Sequence, residues 1–202
     1  MKLKFSYFVY KKAVAPQVCD QIIALLSKEK KKLGTVADKR KVKSKKQREE
    51  LFKFRNSKVA FRKDPFLYRV IHPFIKDANE KAGWNFQWDS SESCQLTEYS
   101  KGQYYHWHQD SWDEPYKKGF FKGKIRKLSS VLVLTDGSKY TGGDLEFNYP
   151  TGFQNTKTET HPFLREKGSL VVFPSFIYHR VTPVKKGTRH SLTTWHLGHP
   201  YV

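Results

Sequence analysis

The sequence predicts a mainly β protein of the α+β class: a two-sheet jelly roll with N-terminal helices packed on one of its sheets. Three observations carry this expectation. Apolar residues at helical spacing occur only in the first 84 residues. From about residue 85 onward, short apolar runs alternate with turn residues, as in a many-stranded sandwich. At 202 residues and 15% aromatic, the chain can bury a real core, yet it is short for two domains. The expected organisation is therefore one domain over 1–202, with a mostly helical support region at 1–84 and a jelly-roll core at 85–202.

The N-terminal stretch "MKLKFSYFVYKK" has six residues between Lys4 and Lys11, too few for the apolar core of a secretory leader. Nothing approaches a membrane span, so a soluble, cytoplasmic protein with no membrane contact is expected. A first helix is expected in "APQVCDQIIALLSKEK", with Pro16 in its first turn and Val18, Ile22, Ile23, Leu25 and Leu26 along one face. A second is expected in "DPFLYRVIHPFIKDANEKAG". Asp64 caps it, Pro65 opens it, Gly83 ends it and Pro73 kinks it. Strands are expected near 85–89, 93–99, 103–108, 128–135, 144–148, 169–173, 177–184 and 189–197.

The net charge is +19, and it is uneven. Residues 28–48 carry eleven basic and two acidic side chains, and residues 117–127 carry six basic and none acidic. Such a surface attracts anionic partners, nucleic acid among them. The two cysteines, Cys19 and Cys94, imply no disulfide framework and are expected in the core.

The chemistry starts in "YYHWHQD", residues 104–110. On a strand, residues two apart share a face. His108 and Asp110 then form half of a metal site, and His106 shares their face. His106 is read as an ordinary strand histidine, with a place lining the site as the alternative. The other half lies in "SLVVFPSFIYHRVTPVKKGTRHSLTTW", where a strand leads to His179. Lys185-Lys186-Gly187 fits a three-residue hairpin loop. That register pairs Pro183 with Arg189 and turns Arg189 into the cavity holding His179. Two imidazoles and a carboxylate leave three octahedral positions open, the facial triad of non-haem Fe(II) oxygenases. A 2-oxo acid and O2 could fill the open positions. Arg189 would then fork onto the far carboxylate of 2-oxoglutarate.

With these residues in view, the chain resembles the prolyl 4-hydroxylase-like, PKHD-type branch of the 2-oxoglutarate/Fe(II)-dependent oxygenases. The resemblance is carried by "YSKGQYYHWHQD", "TGGDLEF", "FPSFIYHRVTPVKKGTRHSLTTW" and, more weakly, "FRNSKVAF" with "DANEKAGW". It implies a double-stranded β-helix core (cupin-like). It implies His108, Asp110 and His179 as iron ligands and Arg189 as the 2-oxoglutarate clamp. Tyr99 matches a site-lining family tyrosine, and Thr193 and Trp195 match positions on the last strand. Tyr99, Ser191 or Thr193 would then assist Arg189 as a hydroxyl helper. The implied reaction hydroxylates a C–H bond with succinate and CO2 as co-products and ascorbate as reductant. A prolyl residue of a peptide or protein is the implied substrate. The same chemistry on a nucleic-acid base or small molecule, and a non-catalytic metal-binding jelly roll, are the rival readings. Segment 111–127 is expected to be a lid over the site, its Trp112, Tyr116, Phe120 and Phe121 pressing on a proline ring or stacking on a base.

Overall fold

The computed structural model describes residues 3–29, 31–34, 53–111, 114–150 and 156–201; most of the basic run 28–48 lies outside the described residues, as does Trp112. Among the described residues, two α-helices pack on the larger of two facing antiparallel sheets, with a small two-stranded sheet beside them. Helix α1 (Pro16–Lys28) buries Cys19 and Ile22 completely. Helix α2 (Pro65–Lys81) is capped by Asp64, whose side chain accepts from the Phe66 amide at 3.0 Å, and Pro65 opens it without losing a needed N–H. Gly83 follows its last turn at a φ of 69°, a conformation that favours glycine. Pro73 sits inside the helix, which continues through it. The stripe Leu67, Ile71, Ile75 and Ala78 is fully buried.

Among the described residues, the strands in chain order are β1 (Phe8–Tyr10), β2 (Lys32–Leu33), β3 (Arg55–Asn56), β4 (Lys58–Arg62), β5 (Ser90–Ser91), β6 (Cys94–Tyr99), β7 (Tyr104–His108), β8 (Ile125–Val133), β9 (Tyr140–Gly142), β10 (Leu145–Pro150), β11 (Thr156–Thr160), β12 (Leu170–Pro174), β13 (Tyr178–Val181), β14 (Val184–Gly187) and β15 (Arg189–Gly198). The major sheet runs β1-β12-β8-β15-β6-β4-β2, with β5 paired to β15; the minor sheet runs β11-β10-β13-β7-β3. One face of the major sheet, with Leu96, Leu128, Leu132 and Leu192, packs on the two helices. Residues of its other face, Tyr99, Val131, Val171 and Phe173, pack with Phe147 and Val181 of the minor sheet. This is the expected jelly roll, a double-stranded β-helix, and the site lies between its two sheets.

Three local expectations fail for physical reasons. Residues 85–89 form no ladder: Asn85 has a φ of 52°, and the Gln87–Trp88 backbone presses against Gly198, where a Cβ would come within 2.2 Å of the Gln87 carbonyl. Residues 177–184 are not one strand, because Pro183 has no N–H to continue a ladder and the chain leaves the minor sheet there. The hairpin at Lys185-Lys186-Gly187 does not exist. Those residues are strand β14, paired to β9 through Val184–Gly142 and Gly187–Tyr140. The first 84 residues also hold more than helices, since β1, β2 and β4 extend the major sheet and β3 the minor one.

Behind the major sheet runs a buried polar chain. His72 Nε2 meets Ser91 Oγ at 3.1 Å, Ser91 meets His196 Nδ1 at 2.9 Å, and Thr194 Oγ1 meets His196 Nε2 at 3.0 Å. Burial, then the neighbouring His72, pushes His196 down to about 3. Between the unfolded value of about 6.5 and that value, the unfolded chain binds a proton that the folded chain refuses. Stability should therefore fall as pH drops through this window, by up to about 1.4 kcal/mol per pH unit for this one group. Urea unfolding of His196→Gln between pH 7 and 4 should show a flatter decline than the native chain; equal slopes would refute it. Ile71→Ala, measured the same way at pH 7, should cost about 2–5 kcal/mol through the cavity left between α2 and the sheet.

Candidate active site

Strands β7 and β13 run antiparallel in the minor sheet, and His179 sits opposite His108. Their ring centroids are 4.1 Å apart. Asp110, just beyond β7, is held by its own amide, which donates to the Ser175 carbonyl at 2.8 Å. One ligand atom from each of His108, Asp110 and His179 lies within 4.8 Å of the others.

The hydrogen bonding settles how these groups face one another. His108 sets Nδ1 2.7 Å from the His106 carbonyl, and His179 sets Nδ1 2.9 Å from the Ile177 carbonyl. A carbonyl only accepts, so both Nδ1 atoms carry a hydrogen, and Nε2 is the ring nitrogen each histidine turns toward the site. Those Nε2 atoms point at the carboxylate: His108 Nε2 is 3.9 Å from Asp110 Oδ1, and His179 Nε2 is 3.5 Å from Asp110 Oδ2. Burial, reinforced by His179, holds His108 well below its usual value, so this ring is neutral. Burial pushes the Asp110 carboxyl up, but His179, His108 and Arg126 outweigh it and keep the group below the ordinary carboxylate value. Asp110 Oδ2 is buried without a hydrogen-bond partner. Two imidazole nitrogens and a carboxylate converge on one buried point, the arrangement a cation completes. The donor set, two imidazoles and one carboxylate, fits a single divalent ion such as Fe(II).

Arg189 lies on the opposing sheet, at the start of β15, paired with Tyr99 of β6. Its cavity-facing orientation thus comes from the facing of the two sheets, not from a hairpin with the His179 strand. It is 1% exposed. Nη1 donates to Ser191 Oγ at 3.2 Å, while Nε and Nη2 are buried with no partner. Among the described residues no carboxylate forms an ion pair with it. Its guanidinium carbon is 5.6 Å from the Tyr99 ring centroid, and burial raises the phenol above its ordinary value. Tyr99, Ser191, Thr193 and Trp195 line one cavity with the two histidines, Asp110 and Arg189.

His106 does not join them. Opposite the two-residue step from His179 to Val181, β7 takes the three-residue step from His108 back to Tyr105. The extra residue is a β-bulge, and it breaks the alternation that put His106 and His108 on one face. His106 is exposed and stacks on Phe54 at 5.9 Å. Tyr105 takes the inward place and lies flat on the His108 ring, centroids 3.5 Å apart and 15° between planes. The Arg55 guanidinium lies over Tyr105 at 4.3 Å. Gln95 also lines the cavity. Its even spacing from Tyr99 could have revealed it, whereas nothing in the sequence announces the bulge that selects Tyr105.

The loop after Asp110 is tied down more than a free lid would be. Tyr116 and Gly123 close a turn through backbone bonds, and Tyr116 Oη donates to Glu92 Oε1 at 2.7 Å. Neither Tyr116, Phe120 nor Phe121 lines the cavity. Phe121 packs near Tyr116, and Phe120 is 84% exposed. Of the six basic residues in 117–127, Arg126 clasps Glu92 with Nε at 2.7 Å and Nη2 at 2.6 Å, Lys124 pairs with Asp89, and Lys127 is buried.

The comparisons agree with this geometry. Residues 94–197 match the family model of the 2OG-Fe(II) oxygenase superfamily. A PKHD-type hydroxylase of Acidovorax ebreus (strain TPSY) is 38% identical over 68 residues, 34% of this chain and 27% of that protein. One from Parvibaculum lavamentivorans is 32% identical over 100 residues, 50% of this chain and 39% of that protein. The chain thus spans well under half the length of the curated relatives it matches. Among solved structures, a Pseudomonas putida prolyl-4-hydroxylase superposes with a TM-score of 0.61 at 18% identity, over 96% of this chain and 92% of that one. A Trichoplax adhaerens prolyl hydroxylase, in complex with a hypoxia inducible factor peptide fragment, gives 0.67 at 18% identity, over 96% and 84%. These two show the same fold. With its matched region running from β6 through β15, and with both sheets of the site inside it, the chain belongs to the 2OG-Fe(II) oxygenase superfamily.

Proposed function

We propose that this chain is an Fe(II)- and 2-oxoglutarate-dependent dioxygenase that hydroxylates a prolyl residue of a peptide or protein. The observation that carries the reading is Arg189: a buried guanidinium with two unpartnered donors, opening onto the same cavity as the His108, Asp110 and His179 cluster. A buried, unpaired cation costs several kcal/mol, so the site is built for an anion. A fork of N–H donors across the cavity from a metal site suits the far carboxylate of a 2-oxo acid bound at that metal.

In this reading His108 and His179 hold Fe(II) through Nε2 and Asp110 through its carboxylate. Their Nδ1–H bonds to the His106 and Ile177 carbonyls fix both rings. Bound Fe(II), with 2-oxoglutarate and O2, supplies the oxidation that turns C–H into C–OH, giving succinate and CO2; ascorbate keeps the metal reduced. Arg189 anchors and orients the co-substrate, with the Ser191 and Tyr99 hydroxyls beside it. Val131, Leu145 and Val181 line the wall and keep water out. The substrate class rests on relatives named PKHD-type hydroxylases and on the peptide held by the Trichoplax protein. The basic loop adds no separate support for a nucleic-acid substrate, since Lys124 and Arg126 are committed to Asp89 and Glu92. Lys118, Lys122 and the exposed Phe120 are the parts of the loop left to meet a substrate.

The test is succinate release with Fe(II), ascorbate and 2-oxoglutarate against proline-containing peptides, RNA and DNA. Peptide-dependent turnover is expected; turnover stimulated only by nucleic acid would sink the substrate assignment. Replacing His108, Asp110 or His179 with Ala should abolish turnover in a folded protein. Arg189→Lys should weaken 2-oxoglutarate by about tenfold or more, because an ammonium cannot fork onto a carboxylate. Mn(II) affinity, read by calorimetry, should stay unchanged in that variant. The same titration should separate the neighbours on β7: Tyr105→Ala should weaken the metal by unseating His108, while His106→Ala should leave it as in the native chain.

A further inference from the structure

The cavity of the iron site is not the largest in the molecule. A cleft of about 650 Å³ lies between residues 84–89 and 198–201, and it shares no lining residue with the Arg189 cavity. Its walls carry four aromatic side chains, Trp84, Phe86, Trp88 and Tyr201, and its charged lining includes Lys127. We propose that this cleft binds a small organic anion with a flat aromatic body, its carboxylate paired with the Lys127 ammonium and its rings held against the tryptophans.

Lys127 is 4% exposed. Its Nζ stands 3.6 Å over the Tyr201 ring, and among the described residues it forms no ion pair and no side-chain hydrogen bond. The carboxylate in the cleft that could neutralise it, Asp89, is committed to Lys124 at 2.7 Å and to Ser90. Burial lowers the ammonium's pKa below its ordinary value. A lysine buried in this way against an aromatic ring fits a ligand with one negative group. One ammonium, with no arginine among the described residues that line the cleft, suits a carboxylate better than a phosphate, which calls for several donors. The volume falls in the range of about 300–1,000 Å³ typical of sites for small organic ligands. The walls are held in place. Gly198 lies against Gln87, the Asp89 amide donates to the Leu197 carbonyl at 2.9 Å, and Tyr201 packs on Phe86 with centroids 5.1 Å apart.

The experiment is calorimetric titration of the full chain, loaded with Mn(II) and saturating 2-oxoglutarate, with 2-naphthoate as the probe and 2-naphthamide as its uncharged twin. Saturable 2-naphthoate binding is expected, weaker by about tenfold or more for the amide, by a similar factor in Lys127→Met, and nearly restored in Lys127→Arg. Tyr201→Ala, at the exposed rim, should weaken it too and serves where Lys127→Met does not fold. Equal binding of acid and amide, indifference to both variants, or loss of binding whenever 2-oxoglutarate is present would overturn the proposal. So would a concentration-dependent dimer dispersed by Tyr201→Ala, which would make the cleft a contact between copies of the chain.

Discussion

Two imidazoles, a buried carboxylate and a half-partnered guanidinium are shut between two sheets, and they cannot be at rest with one another alone. Each sheet brings one part of the mismatch. The minor sheet places His108 opposite His179, and both Nδ1 atoms are already used on carbonyls. The major sheet places Arg189 with no acid among the described residues to neutralise it. Folding carries these unmet demands because the apolar faces around them are extensive: Val131, Phe147, Val171, Phe173 and Val181 pack the same interlayer space. The unsatisfied atoms mark where a cation and an anion are wanted, and the sheets fix the spacing between them.

What was legible in the sequence follows a physical line. Helix α2 was readable from its ends, because Asp64-Pro65 and Gly83 each meet a local backbone need that does not depend on the rest of the fold. Strand β15 was readable because ten residues outlast any competing pattern. The sequence pattern turns Arg189 into the cavity through a hairpin, and the structure reaches the same orientation without one. A three-residue loop and a strand crossing between sheets look alike over five residues, and only the pairing of β14 with β9 tells them apart. Plain alternation puts His106 on the site face, as an ordinary strand residue or a lining group. A single inserted residue in β7 reverses it and gives Tyr105 the position. Strands β1 to β4 are two to five residues long, too short to carry a readable period.

The net charge of +19 invites a reading by total, yet location decides what a charge can do. Arg126 and Lys124 are internal struts. Arg165 clasps Asp144 and reaches the Gly137, Gly142 and Tyr140 carbonyls, binding a turn together. Arg180 is turned back onto Glu146 at 2.7 Å. Such paired groups contribute little to the far field that steers a polyanion. The lysines left free on the surface are long, solvated and individually weak.

Arg126 shows how a folding contact becomes a functional one. Its guanidinium grips both oxygens of Glu92, lies 4.0 Å over Trp195, and sends Nη1 to the Asp110 carbonyl at 3.3 Å. Tyr116 of the following loop shares the same carboxylate. One planar cation therefore joins four things: the strand end that carries Asp110, the indole lining the cavity, the acid beside β5, and the loop over the far end. A lysine could hold one of these contacts but not the fork, the stack and the carbonyl together. The loop that meets solvent through Phe120 is thus mechanically continuous with the backbone of the metal-facing carboxylate. A substrate pressing on that loop would press on a frame whose inner end is the site itself.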